Sequence, residues 1–364
     1  MKARTAVTVA ALVLVAGALV KPAAATSIKW LVVQLGTHRF GHLRAPNATV
    51  AHADAQDVGF ECGKPSACES SQPPTQGCGC IDVVPQGPSS FDVARDGSVW
   101  LFDVVNNRFL VWRRGQPAKP ARTVSLPRNQ GVGDFALGRE GRIYVFATPP
   151  GAGQRKLWAL SSSGRLRWQA PLTRTLSNAR DAQLRVGPDG TLYAVRRQEG
   201  GRVTWTALTT PVGRALPLTR LHRSTPFQPL SGGLRVLATQ LSGHELHFAL
   251  IDRNDKVVRA WRVVSRTTLG EVRATPALVG ADLVVAADAT QQAKGKFLWE
   301  HVILRLGATG AVKQRFALDA RSAWDPDGTT VTTSLRIGPD GRLYELRTDP
   351  KTGASVSRYS LGQS

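Results

Sequence analysis

Short apolar stretches alternate with glycine-containing turns along most of this chain. The clearest example lies in residues 88–112, where "FDVA" and "VWLF" flank Asp96 and Gly97, and "RFLVW" follows a second turn. An Asp-Gly turn requires a positive φ, which glycine adopts without steric cost. The flanking stretches are rich in β-branched and aromatic residues, which favour strands. The pattern therefore predicts consecutive strands joined by tight turns.

The same hairpin recurs along the sequence. Clear copies span 91–103, 134–147, 183–195 and 334–346, and weaker copies span 225–238 and 275–287. A second predicted hairpin follows most of them, and after the third copy it spans 203–218. Four strands per repeat are typical of a propeller blade. We therefore predict an all-β fold, a six-bladed β-propeller of four-stranded antiparallel blades over residues 88–364. The six turn glycines, 43 to 61 residues apart, are Gly97, Gly141, Gly190, Gly233, Gly280 and Gly341.

Many predicted strands are apolar at successive positions. Examples are "VWLF", "IYVF" and "LVVAA". A strand with one face in water would alternate apolar and polar residues, so this pattern indicates sheets that are covered on both faces. Small sheets stacked side by side around a ring satisfy that requirement.

The sixth copy supplies three strands before the end of the sequence, and a closed ring needs a fourth. The apolar segment "IKWLVVQLG" at 28–36 has no partner nearby. We expect residues 26–36 to form the N-terminal strand that closes the last blade as its outer strand. Such a closure would protect two sheet edges together.

The N-terminus resembles a secretory signal peptide. Positive charge in "MKAR" precedes an apolar run at 5–20, and Ala23 and Ala25 provide small residues for cleavage. We expect residues 1–25 to be a signal peptide; the alternative is a retained membrane anchor, although a span needs about 20 residues. After cleavage we expect no membrane span, and a secreted or extracytoplasmic protein that could associate with the cell envelope.

All four cysteines fall within one short window. They are Cys62, Cys68, Cys78 and Cys80, inside a loop-like insertion at 37–87. An even number of cysteines in an exported chain favours two disulfide bonds. Three pairings exist, and a bridge between Cys78 and Cys80 would strain disulfide geometry. We therefore favour bridges from the first two cysteines to the last two; a zinc cluster is the alternative, although the spacing lacks paired C-x-x-C motifs.

The first blade resembles the NHL repeat. That family tends to read Pro, a strand, Asp-Gly, a strand, Asp and Asn-x-Arg; here Pro88, Asp96, Gly97 and Asp103 hold the first places, and residues 106–108 the last. The outer hairpins of the other blades are more similar to those of PQQ-type repeat propellers. The resemblance implies the architecture, because propellers host many activities. We expect structural turn roles for Asp103 and Asn107.

The net charge of the chain bears on its function. The formal net charge is +21, and loss of Lys2, Arg4 and Lys21 with the signal peptide leaves 21 − 3 = +18. Such a surface attracts polyanions, although the predominance of Arg also fits a GC-rich coding bias. We predict a non-catalytic recognition or scaffold protein that binds an anionic polymer or a protein partner through a basic face, and we do not expect nucleic acid as the physiological partner. The candidate ligand-binding residues on this face are Arg155, Arg196, Arg197, Arg223, Lys294 and Lys296.

The alternative is a propeller enzyme, either a metal-dependent, lactonase-like hydrolase or a lyase. Asp92, Asp134 and Asp181 lie at the starts of innermost strands and could supply oxygen ligands near the central channel. Oxygen ligands suit calcium, so calcium is the metal we would consider. We predict no catalytic residue and no further cofactor, because no nucleophile lies in a recognisable motif.

Overall fold

The computed structural model describes residues 28–41, 43, 46–58, 87–126, 131–148, 154–179, 182–197, 203–221, 223–293, 296–319, 334–349 and 351–361. The predicted signal peptide and all four cysteines lie outside these residues, and so do Asp181 and Lys294. The α-helices in the described part of the chain are single turns, at Arg174–Ser177 and Leu218–Leu221, and 3-10 turns lie at Arg139–Gly141 and Ser231–Gly233. None of them is long and apolar enough to cross a membrane.

The fold is a six-bladed β-propeller, as predicted. Blades 1 to 5 take four consecutive strands each, β3–β6, β7–β10, β11–β14, β15–β18 and β19–β22, and blade 6 takes β23–β25 and β2. The strands are β1 (Trp30–Gly36), β2 (Asn47–Ala53), β3 (Ser90–Val93), β4 (Val99–Asp103), β5 (Arg108–Trp112), β6 (Arg122–Ser125), β7 (Gly131–Leu137), β8 (Ile143–Thr148), β9 (Lys156–Leu160), β10 (Leu166–Pro171), β11 (Gln183–Val186), β12 (Leu192–Arg197), β13 (Val203–Ala207), β14 (Ser224–Thr225), β15 (Gln228–Pro229), β16 (Arg235–Ser242), β17 (Glu245–Ile251), β18 (Val257–Ser265), β19 (Thr268–Val279), β20 (Asp282–Ala293), β21 (Lys296–Leu306), β22 (Val312–Asp319), β23 (Leu335–Ile337), β24 (Leu343–Asp349) and β25 (Gly353–Tyr359).

The core consists of separate apolar layers between neighbouring blades. Strand β4 shows why, because every one of its residues is buried. Trp100 and Phe102 pack against Phe135 of blade 2. Val99 and Leu101, on the other face of the strand, pack against Leu346 of blade 6. The successive apolar residues seen in the sequence therefore serve two interfaces at once.

The inner hairpins of blades 1, 2, 3, 4 and 6 share one register. In each of them, the residue five positions before the turn glycine pairs with the residue three positions after it. All six turn glycines predicted from the sequence have positive φ. Blade 5 differs, because Val279 pairs with Asp282 across a shorter turn. The common register places equivalent residues at one level around the axis.

The expected closing strand was wrong. Trp30–Gly36 does not join the last blade; it pairs in parallel with β18 and extends blade 4 to five strands. The outer strand of blade 6 is instead Asn47–Ala53, antiparallel to β25, from within the predicted insertion. Both segments are edge strands, and packing decides between them. Val33 and Leu35 enter the apolar layer between blades 4 and 5, whereas the small Ala51 and Ala53 fit the layer between blades 6 and 1.

The segment between β1 and β2 passes over blade 5. The backbone N–H of His38 donates to Thr267 Oγ1 at 2.8 Å, and its imidazole Nε2 lies 2.6 Å from Glu300 Oε2. The N–H of Ala317 donates to the carbonyl of Leu43 at 2.6 Å. The N-terminal segment therefore contacts blades 4, 5 and 6 in turn.

The outer part of blade 3 also differs from the sequence expectation. Residues 203–218 were expected to form a complete outer hairpin. Instead, β13 is followed by an isolated bridge between Thr209 and Ala215 and by the helical turn Leu218–Leu221. The fourth strand is only Ser224–Thr225, paired with Trp205 and Thr206. Arg223 consequently precedes the outer strand of blade 3 and does not lie on a connection between blades.

Candidate functional site: the polar channel and the basic loop face

The shared register brings polar side chains together on the inner strands. The residue five positions before the turn glycine is Asp92 in blade 1, Arg185 in blade 3, Gln228 in blade 4 and Arg336 in blade 6, with Ala136 in blade 2. The three longer side chains of this set are buried. Of these residues, Asp92 alone was predicted from the sequence to approach the channel. Counting back from each turn glycine would have revealed the others.

Arg336 lies across the centre of the propeller. Its Nε donates to the carbonyl of Phe91 in blade 1 at 2.6 Å. Its Nη2 donates to Phe135 in blade 2 at 3.0 Å, and its Nη1 to Leu184 in blade 3 at 3.4 Å. These carbonyls belong to innermost strands, which have no neighbouring strand on the channel side. Because buried carbonyls need partners, one guanidinium satisfies the edges of three blades.

Three other polar groups of the channel link neighbouring blades. Asp92 Oδ2 accepts the backbone N–H of Leu137 at 2.8 Å, and Asp134 Oδ2 accepts that of Leu184 at 2.8 Å. Gln228 Nε2 donates to the carbonyl of Pro276. These bonds join blade 1 to 2, blade 2 to 3, and blade 4 to 5. The channel residues therefore hold the ring together.

The channel charges are opposed in sign and close to one another. Asp134 is fully buried, with Arg185 Nη1 at 3.6 Å and Arg336 Nη2 at 4.0 Å from its oxygens. Arg336 Nε also lies 3.5 Å from Asp92 Oδ1. Burial raises the pKa of Asp134 more than the two guanidiniums lower it. Desolvation disfavours the carboxylate form, so this charge depends on its arginine neighbours.

The carboxylates considered as calcium ligands occupy this network. Asp92 and Asp134 reach the channel, but each accepts a backbone N–H and lies near a guanidinium. Within the described ranges, no group of three or more His, Cys, Asp or Glu side chains could hold a metal ion. The arrangement here is a structural network of carboxylates and guanidiniums.

The predicted basic face is the end of the blades that carries the loops between second and third strands and the blade-to-blade connections; we call it the loop face. Arg155 immediately precedes the third strand of blade 2, and its Nη1 donates to the carbonyl of Ala179 at 2.7 Å. Its guanidinium lies 5.6 Å from the ring of Phe146. Arg155 thus joins its blade to the connection that leads to blade 3.

The other predicted residues of the loop face lie on blades 3 and 5. Arg196 and Arg197 end β12. Arg196 is half-buried, and its Nε finds no hydrogen-bond partner among the described residues. Lys296 begins β21 and is exposed. Arg223 does not join them, because it lies at the outer edge of blade 3. Two further exposed cations, Arg174 and Arg266, lie on the blade-to-blade connections.

Two of the acidic groups near the loop face, Glu245 and Glu300, already have partners. Glu245 Oε1 lies 2.8 Å from Arg262 Nε and 2.5 Å from His247 Nε2. Glu300 pairs with His38 at 2.6 Å. Their charge is therefore not available to the exposed cations. Among the described residues, the exposed cations Arg174, Arg266 and Lys296 have no acidic partner within 4.0 Å.

Asp103 and Asn107 occupy the turn between β4 and β5. Asp103 is fully buried and accepts from Asn106 Nδ2 at 2.8 Å and from Arg108 Nε at 2.9 Å. Asn107 has a φ of 51°, a conformation that asparagine tolerates better than most residues. These contacts shape the turn, and Arg108 extends them by donating to the carbonyl of Asp57 at 2.6 Å.

His247 is a buried histidine near the loop face whose pKa links the stability of the protein to pH. Its imidazole is 2 % exposed and stacks against Trp30 of β1, with 4.3 Å between ring centroids. Burial lowers the pKa of His247 more than the hydrogen bond with Glu245 raises it. The unfolded imidazole therefore takes up a proton at higher pH than the folded one. Its contribution to stability is fully present above about pH 6.5 and is lost as the pH falls toward the lower folded pKa.

We expect the urea midpoint of the protein to fall between pH 7.5 and 5.5, and the fall to be smaller in His247→Gln. The slopes of unfolding free energy against pH should differ between the two proteins by at most about 1.4 kcal/mol per pH unit, which corresponds to one linked proton. Urea titrations of both proteins at several pH values measure this difference. Equal slopes in the two proteins would contradict the assignment to His247.

Comparison with known proteins assigns the chain to no family. No protein-family model matches the chain, and no curated protein matches it. The PQQ-bound aldose sugar dehydrogenase of Streptomyces coelicolor is similar with a TM-score of 0.42 at 12% identity, over 87% of this chain and 100% of that chain. Hydrazine synthase of Kuenenia stuttgartiensis gives 0.40 at 15% identity, over 76% of each chain. Virginiamycin B lyase of Staphylococcus aureus gives 0.37 at 11% identity, over 76% of this chain and 95% of that chain.

Proposed function

We propose that this propeller is an exported, non-catalytic recognition protein that binds an anionic polymer of the cell envelope through its loop face. The observation that carries the proposal is a set of exposed cations there that have no acidic partner. Arg174, Arg266 and Lys296 have no acidic partner within the described chain, whereas Glu245 and Glu300 are already paired. A polyanion would supply the missing counter-charges.

The type and placement of the cations support a repetitive ligand. Arginine presents a planar fork that donates two parallel hydrogen bonds to a phosphate, sulfate or carboxylate group. Arg174 and Arg266 lie on connections that follow blades 2 and 4, and Lys296 lies on blade 5. Cations spread over several blades suit successive charged groups along a chain better than one small ligand.

The contacts of the channel support a non-catalytic role. In many binding proteins and enzymes, polar groups that converge in a concave site are directed at a ligand. Here Arg336, Asp92 and Asp134 are directed at the backbone of neighbouring blades. Their hydrogen bonds serve cohesion of the ring, and the loop face is left as the surface for recognition.

Binding to a soluble polyanion such as heparin, and to an anionic wall-polymer resin, should weaken steeply as the salt concentration increases. The reason is that the protein's cations displace counterions from the polyanion, and this release is less favourable at high salt. The triple variant Arg174→Gln, Arg266→Gln, Lys296→Gln should bind about a hundredfold more weakly at low salt, at roughly 1 kcal/mol per cation near an anionic surface. Affinity measurements over a salt series check both statements.

The matched control removes three exposed arginines from the opposite end of the blades, where the glycine turns lie. Arg95→Gln, Arg113→Gln, Arg253→Gln has the same change of net charge, and its affinity should fall by no more than about threefold, through long-range charge alone. Equal losses in the two variants would show that net charge and not the loop face determines binding. Binding that does not change with salt would overturn the proposal.

A further inference from the structure

The outer edge of blade 3 contains a pocket that the loop face does not include. Strand β14 covers only Trp205 and Thr206 of β13. The chain between the two strands folds outward through the turn that ends at Gly213 and the helical turn Leu218–Leu221. This excursion leaves a pocket of about 600 Å³ beside the end of β13, a volume suited to a small molecule.

The pocket has an apolar wall and a polar rim. Ala207 and Leu216 form the wall, and Thr219, Arg220 and Arg223 form the rim. The N–H of Leu216 donates to the carbonyl of Leu208 at 2.9 Å, which fixes the wall against β13. The neighbouring Leu221 is buried in the apolar layer between blades 2 and 3. The rim is therefore anchored to the core.

Both rim arginines line the same pocket. The N–H of Arg223 donates to the carbonyl of Arg220 at 3.2 Å, and that of Arg220 to the carbonyl of Pro217 at 2.9 Å, so the backbone between them is hydrogen-bonded. Both side chains are exposed, and no acidic side chain among the described residues lies within 4.0 Å of either. Two neighbouring like charges disfavour each other, and a shared dianion would relieve that repulsion.

From this geometry we infer that the Arg220–Arg223 pocket binds a small organic molecule carrying a phosphate monoester. The two guanidiniums match the charge of the dianion, and arginine is well suited to its oxygen geometry. The hydroxyl of Thr219 supplies one more donor. Ala207 and Leu216 contact the short apolar part of the molecule. The site is separate from the loop face and does not depend on the polymer-binding proposal.

Phenyl phosphate, inorganic phosphate and benzoate are the probes, measured by calorimetry on the full chain. Phenyl phosphate should bind with a Kd of about 1 mM or tighter. Inorganic phosphate, which lacks the apolar part, and benzoate, which carries one charge, should each bind at least about tenfold more weakly. Equal binding of phenyl phosphate and inorganic phosphate would mean a plain anion site and would overturn the stated ligand class.

The variant Arg220→Gln, Arg223→Gln should lower the affinity for phenyl phosphate by at least about thirtyfold, because two charge-assisted interactions are lost. Arg214→Gln is the matched control, since Arg214 is exposed on the same excursion but does not line the pocket. It should bind phenyl phosphate normally, and so should the loop-face triple variant. Undiminished binding by the double variant, or an equal loss in Arg214→Gln, would overturn the inference.

Discussion

Gly353→Ala should destabilise the protein by roughly 3 kcal/mol or more, through strain and overlap together. Gly353 begins β25 with a φ of +95°, where a side chain is strained whatever space surrounds it. A Cβ there would overlap the carbonyl oxygen of Ala53 and would lie 2.7 Å from the backbone nitrogen of Ala55. Both contacts belong to β2 and the residues just after it. The substitution therefore acts directly on the strand that closes the ring.

Gly280→Ala separates the two causes. Gly280 also has positive φ, +62°, but a Cβ at that position meets nothing within 4 Å. The Gly280→Ala variant should lose about 1–2 kcal/mol of folding stability, which is the cost of the left-handed backbone alone. Urea midpoints of the two variants measure the difference. Similar losses would show that β2 can move away from β25 at little cost, and would contradict its role in holding blade 6 closed.

Arg336→Met should destabilise the protein by about 3–5 kcal/mol, the usual result of breaking a buried charged network by removing one partner. Methionine leaves the carbonyls of Phe91 and Phe135 without the donors that Arg336 supplies. It also removes one of the two guanidiniums near Asp134, whose pKa is already raised by burial. The effect should appear as a lower urea midpoint.

Arg342→Met is the control, because the Arg342 side chain is 40% exposed and its Nε lies 3.9 Å from Asp340 Oδ2. The Arg342→Met variant should lose less than about 1 kcal/mol of folding stability, as is usual when a surface ion pair is removed. Adding Asp134→Asn to Arg336→Met should recover part of the lost stability by removing a buried charge. Equal midpoints for the two arginine variants would mean that water satisfies the inner-strand carbonyls as well as Arg336 does.

The candidate site was predicted less completely than the fold. The loop-face residues Arg155, Arg196, Arg197 and Lys296 follow from the order of strands within a blade, which local patterns reveal. Arg155 nevertheless bonds to Ala179, a contact that local patterns do not indicate. The channel contacts are still harder to predict from the sequence, because Arg336 donates a hydrogen bond to Phe91, which is 245 residues away in sequence. Only the closed ring brings these two residues together.

The repeat, its turn glycines and the burial of both faces of strands such as β4 follow from the sequence, because φ requirements and apolar runs are local properties. Packing in the folded chain decided that Asn47–Ala53 and not Trp30–Gly36 completes blade 6. It also decided that Arg223 lies beside a pocket and not on the loop face. Edge strands and long loops are placed by packing against residues that are remote in sequence. The local alternation of apolar and polar positions does not indicate which distant residues those are.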